Sequence, residues 1–165
     1  MNDRAPAPGG LALIEALVNT LNIETGLDCL DTPDARGRFA LTPPDLPAAR
    51  DLREALRAAC LAHAGHGTST DLDALLADAP LRVAIAPDGS ATVRAAGPPT
   101  LLARVAEAIA AATADGTWTR LKACEAADCH WAYYDRSPAC RSRWCSMSVC
   151  GARTKMRTYR ARHTP

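Results

Sequence analysis

Apolar residues at Leu11, Ile14, Leu17, Val18 and Leu21 recur at the spacing that places them on one face of a helix. The same period returns at Ala49, Leu52, Leu56, Ala59 and His63 and predicts a longer second helix. Asp45 is its expected N-cap, the prolines are confined to its first turn, and Gly65 stands near its end. Between these helices, the chain from "TGLDCLDTPDARGR" to "LTPPDLP" is rich in Asp, Gly and Pro and reads as a loop. "TSTDLDALLAD" predicts a short third helix, with Thr70 capping its start and Asp73 as the capping-box partner.

The period then changes to two. Leu81, Val83 and Ile85, followed by Ala91, Val93 and Ala95 around Asp88-Gly89, predict a β-hairpin at about 81–96. Leu102, Val105, Ile109 and Ala112 resume the helical stripe, and Gly116 stops it. Farther on, Trp131 and Tyr133 alternate as on a strand, where they read as core packing of the small module, with a stacking platform for bases as the alternative. Val149, Ala152, Met156 and Tyr159 predict a last helix with one buried stripe. Arg153, Arg157 and Arg160 fall on one side of that stripe, and Lys155 and Arg162 on the other. The expected fold class is α+β: a mostly helical domain with one hairpin over 1–118, then a small module over 119–165 that ends in a basic helix.

Charge sharpens this division. The chain of 165 residues has a net charge of +1, but residues 120–165 carry 10 basic and 3 acidic groups, whereas the preceding 119 carry 9 and 15. A balance of +7 at one end and −6 over the rest points the C-terminal module toward a polyanion. Nearly all of that positive charge is arginine, whose planar fork pairs with phosphate.

Four of the seven cysteines form the pattern C-x4-C-x15-C-x4-C at Cys124, Cys129, Cys145 and Cys150. Two thiol pairs at matching spacing satisfy the tetrahedral demand of a single structural zinc ion, and four thiolates leave no position for water or substrate. A segment of about 45 residues buries little surface alone, so metal binding is expected to support its fold. The ion and its thiolates carry −2 together, which lowers the module's balance to +5 and still favours a polyanion. Cys140 has no partner at the same spacing, Cys29 reads as a loop thiol, and Cys60 as a small core residue.

These features favour a DNA-binding regulator in which Arg141, Arg143, Arg153, Lys155, Arg157, Arg160 and Arg162 meet nucleic acid. The competing readings are a zinc-thiolate redox sensor using Cys140 and a protein–protein interaction module. An enzyme is not expected: no nucleophile stands beside a base, His63 reads as a helix-face residue, and no Gly-rich phosphate loop is present. The start, "MNDRAPAPGGLALIEALV", lacks a basic n-region, and no apolar run reaches the roughly 18–20 residues of a membrane span. The cytoplasm, with thiols reduced, is the expected setting. A homodimer through the helical domain, and a small-molecule or protein effector acting on it, are open partners.

Residues 120–162, "RLKACEAADCHWAYYDRSPACRSRWCSMSVCGARTKMRTYRAR", resemble the CGNR zinc finger of bacterial proteins. The upstream chain resembles the ABATE domain joined to that finger, through "ALVNT" at 16–20, "ARDLREALRA" and the hairpin. The resemblance implies a stress-induced transcription regulator whose finger binds DNA, with Cys124, Cys129, Cys145 and Cys150 as the zinc ligands. The naming motif reads "CGAR" here, with Ala152 where asparagine is expected, and "SPACRSRW" replaces a more basic linker. Loss of the amide removes a donor and an acceptor, which bears on DNA specificity and leaves the metal site intact.

Overall fold

A computed structural model describes residues 4–69 and 71–163. Helix α1 (Leu11–Val18) buries Leu11, Ile14, Leu17 and Val18. The helix stops before Leu21, contrary to the expected stripe. The Thr20 hydroxyl donates to Leu17 O (2.7 Å), and Thr20 O accepts from Cys29 N (2.8 Å), so the chain leaves the helix and Leu21 bridges to Asp28 instead.

The stretch expected as loop contains a further helix, α2 (Pro33–Phe39), flanked by single 3₁₀ turns. Thr32 caps it by accepting from Ala35 N, Pro33 sits in the first turn, and Ala40 ends it in the left-handed conformation (φ 56°). This helix buries only Phe39, so it leaves no apolar stripe in the sequence.

Helix α3 (Leu46–His63) begins where expected, but Asp45 does not cap it. Its carboxylate turns back to Thr42, accepting from the backbone N (2.7 Å) and the hydroxyl (2.6 Å), and so closes the preceding 3₁₀ turn. Helix α4 (Leu72–Leu76) follows; Thr70, its expected cap, lies outside the described residues, and Asp71 makes no side-chain cap.

Strands β1 (Leu81–Ile85) and β2 (Ala91–Ala95) pair antiparallel with Val83 opposite Val93, and Gly89 takes the left-handed conformation (φ 82°) that the turn requires. Glu107 of helix α5 (Leu101–Ala114) holds the hairpin by accepting from Ala95 N and Arg94. Thr100 caps α5, and Gly10 lets it approach α1: a Cβ at position 10 would stand 2.7 Å from the Cβ of Ala108.

Strands β3 (Leu121–Ala123) and β4 (Ala132–Tyr134) form a second antiparallel pair, with Leu121 opposite Tyr134. They pack on α3 and α1, and Leu121, Ala123, Ala132 and Tyr134 join Ile14, Leu17, Leu56 and Val105 in one core. The C-terminal module therefore shares the hydrophobic core of the helical part, and burial supports it together with the metal.

Helix α6 (Ala152–His163) follows a π-turn at Met147–Gly151. The stripe expected to be buried is open to solvent: Val149 is 46 % exposed, Met156 51 % and Tyr159 58 %. Ion pairs from its first two turns fasten the helix, and no apolar surface of the described residues covers the stripe.

Candidate metal centre and its basic helix

Two short turns bring the four thiols together. In the first, Cys124 leaves β3 with its N–H on Trp131 O; Cys129 N and His130 N both donate to Ala126 O; and His130 takes a left-handed conformation (φ 47°) that returns the chain to β4. In the second, Ser146 caps the π-turn through Val149 N, and Gly151 N closes on Ser146 O (3.1 Å). A Cβ at position 151 would meet Met147 Sδ at 2.7 Å, a contact that the exposed methionine side chain can relieve by moving.

The ligand atoms of Cys124, Cys129, Cys145 and Cys150 lie within 4.8 Å of one another. Both the Cys129–Cys145 and the Cys145–Cys150 sulfur pairs stand 3.7 Å apart. A tetrahedron of thiolates about 2.3 Å from zinc has an edge of about 3.8 Å, so the donor set and its spacing fit one structural zinc ion. Three of these cysteines are buried and Cys129 is half-buried. Without a cation the four thiols cannot ionise together: hydrogen bonds from Cys129 and Cys145 draw Cys124 below the usual thiol range, while the same contact with Cys124 pushes Cys129 above it. A divalent ion removes that conflict by accepting all four as thiolates. Cys140 stands outside the cluster.

Aromatic and charged groups brace the centre. Tyr133 is fully buried against the cysteines with Trp131 and Trp144 beside it, and its hydroxyl donates to Ser142 O (2.6 Å). The Arg4 guanidinium lies over the Tyr133 ring and donates to Trp144 O and Cys145 O, both at 3.0 Å. Lys122 and Asp135 form a buried ion pair (3.0 Å), and Lys122 also donates to Cys140 O. Burial alone would raise the Asp135 carboxyl, but donors from Ser137, Ser142 and Lys122 hold it well below the usual carboxylate range. This hub fixes the course of residues 135–142, which lead to the second pair of ligands.

Several residues that join the module to the helices were not legible as functional. Asn19, just beyond α1, accepts from Ala132 N (2.7 Å) and donates to Ala132 O (2.9 Å), pairing with β4 as a strand would. Arg57, buried on α3, donates to Val18 O and His130 O and so ties the first cysteine turn to two helices. Nothing in their spacing separates them from surface polar residues. His63 occupies the helix face expected of it, with Nδ1 2.8 Å from Leu121 O and its ring edge-on to Trp118.

Arg143 pairs with Glu125 through both oxygens (2.5 Å each) and stacks on Trp144. Arg153 pairs with Glu24 and Asp128, and Arg157 pairs with Asp128 at 2.6 Å. Lys155, Arg160 and Arg162 point outward from α6, and Arg141 is exposed on the loop before the second cysteine pair. Exposed pairs such as that of Arg157 contribute little to stability and can be exchanged for phosphate contacts at small cost.

Comparison with known families agrees with this geometry. Residues 120–163 match the CGNR zinc finger, and residues 11–116 match the ABATE family, described as "Putative stress-induced transcription regulator". No curated protein matches the chain. The chain belongs to the ABATE family, whose domain here precedes a CGNR zinc finger with one tetracysteine metal centre.

Proposed function

We propose that the protein is a DNA-binding transcription regulator that grips the duplex through its zinc finger and α6. The observation that carries this reading is the helix itself: anchored at one end by the metal centre and exposed beyond its first turn, it presents five cationic side chains around its surface. The metal orients the helix and does no chemistry. Arg141 and Arg143, both exposed just before the second cysteine pair, add two more cationic side chains. If three to five phosphates are neutralised, log K falls with log salt at a slope of roughly −3 to −4.5. Fluorescence anisotropy of zinc-loaded protein on labelled duplex at several salt concentrations measures this slope, and a flat response refutes the reading.

A second reading rests on a separate observation. A cavity of about 160 Å³ is lined in part by Cys129, Cys145 and Cys150, and half-buried Cys129 is the sulfur most open to a small oxidant. Hydrogen peroxide could oxidise two thiolates to a disulfide, itself reduced to water, with release of zinc. Zinc release under mild peroxide, followed with a colorimetric chelator, tests this sensor, and Cys140→Ser shows whether Cys140 takes part.

A further inference from the structure

The stripe of α6 that the fold leaves uncovered is narrow and flanked by charge on both sides. Ala152, Met156, Tyr159 and His163 share one face at heptad spacing, with Met156 and Tyr159 more than half exposed and the Tyr159 and His163 rings stacked at 4.2 Å. Arg153, Arg157 and Arg160 border it on one side, where Arg153 and Arg157 would exchange their pairs with Glu24 and Asp128 for phosphate, and Lys155 and Arg162 border it on the other. In a pair of such helices these like charges would face each other across the seam, which disfavours a second copy. The stripe also ends in a phenol and an imidazole, a poor anchor for an apolar partner helix.

A duplex matches all of these features. The major groove admits one α-helix, with base edges at its floor and phosphates along both walls, and thymine presents a C5-methyl group there. The 12 residues of α6 span about 18 Å, enough to follow the groove over a few base pairs. We infer that α6 lies in the major groove with Met156 and Tyr159 against thymine methyl groups, while the cations on either flank hold the two phosphate walls. This rests on the DNA-binding reading above and adds which side chains read the bases and which base they favour.

The test uses full-length zinc-loaded protein and the duplex enriched from a random 20-base-pair pool, synthesised once with thymine and once with deoxyuridine, which lacks only the methyl. Burial of one methyl-sized group is worth about fourfold in affinity, so loss of two contacts weakens binding roughly fifteenfold. Met156→Ala and Tyr159→Ala should each shrink the thymine-to-uracil ratio, with zinc content unchanged. Lys155→Ala and Arg162→Ala should weaken both duplexes and preserve the ratio. Equal affinity for the two duplexes at an undiminished salt slope overturns the inference and leaves DNA binding standing; absence of salt-dependent binding removes both. Capture of an acidic amphipathic peptide through Met156 and Tyr159, with no methyl effect, would assign the stripe to a protein partner and overturn it too.

Discussion

Replacing Asp135 with alanine tests how the module is held together. Asp135 is fully buried, and its two oxygens accept from Lys122 Nζ (3.0 Å), both hydroxyls of Ser137 and Ser142 (2.7 and 2.8 Å) and both of their backbone N–H groups (3.0 and 2.9 Å). Asp135→Ala leaves the Lys122 ammonium, only 5 % exposed, with the Cys140 carbonyl as its one remaining partner among the described residues. Removal of one member of a buried pair costs about 3–5 kcal/mol, a fifth or more of the roughly 5–15 kcal/mol that stabilises an ordinary domain. Urea unfolding of the zinc-loaded protein, followed by tryptophan fluorescence, should show this loss through a lower midpoint at an unchanged slope. Adding Lys122→Met removes the stranded charge and should recover more than about 1 kcal/mol. An Asp135→Ala variant within about 0.5 kcal/mol of the parent, or a double variant whose losses simply add, would refute the reasoning.

Three further outcomes follow from other contacts. Asn19→Ala strands the N–H and carbonyl of Ala132 and should cost about 2 kcal/mol in the same urea assay. Burial holds the His63 imidazole below its usual pKa, so its neutral form is favoured in the fold; its contribution is present above pH ~6.5 and is lost as pH falls through the depressed folded pKa. His63→Gln should therefore reduce the loss of urea midpoint between pH 7 and pH 5 relative to the parent, and identical profiles would contradict this. Cys145→Ser removes a buried ligand and should abolish stoichiometric zinc while the core of α1, α3 and α5 remains folded by circular dichroism, because burial and not the metal holds those helices.

The sequence was legible where one physical demand dominates. Four thiols at repeated spacing answer a tetrahedral ion, and the Asp88-Gly89 turn between alternating residues answers a hairpin, so both stood out before any coordinates. Helix α2 stayed hidden because it buries one residue, Phe39, and is defined by the Thr32 cap and the Ala40 terminus rather than by a stripe. The Asp45 assignment failed because its carboxylate closes the preceding turn on Thr42, while Pro47 in the first turn of α3 has no N–H to offer it. The α6 stripe shows the limit of periodicity: apolar spacing reports that a face differs from its flanks and does not say what covers it. The joints between the finger and the helices, Asn19 and Arg57, bind backbone groups more than seventy residues away, and such pairings have no signature along the chain.

The central claim is that four thiolates on one zinc ion fix the root of α6. Zinc K-edge X-ray absorption of the purified full-length protein, with metal content measured on the same sample, tests it most directly. The account predicts one zinc per chain and a single shell of four sulfurs at about 2.3 Å. A shell containing nitrogen or oxygen, or zinc well below one per chain in folded protein, would contradict it.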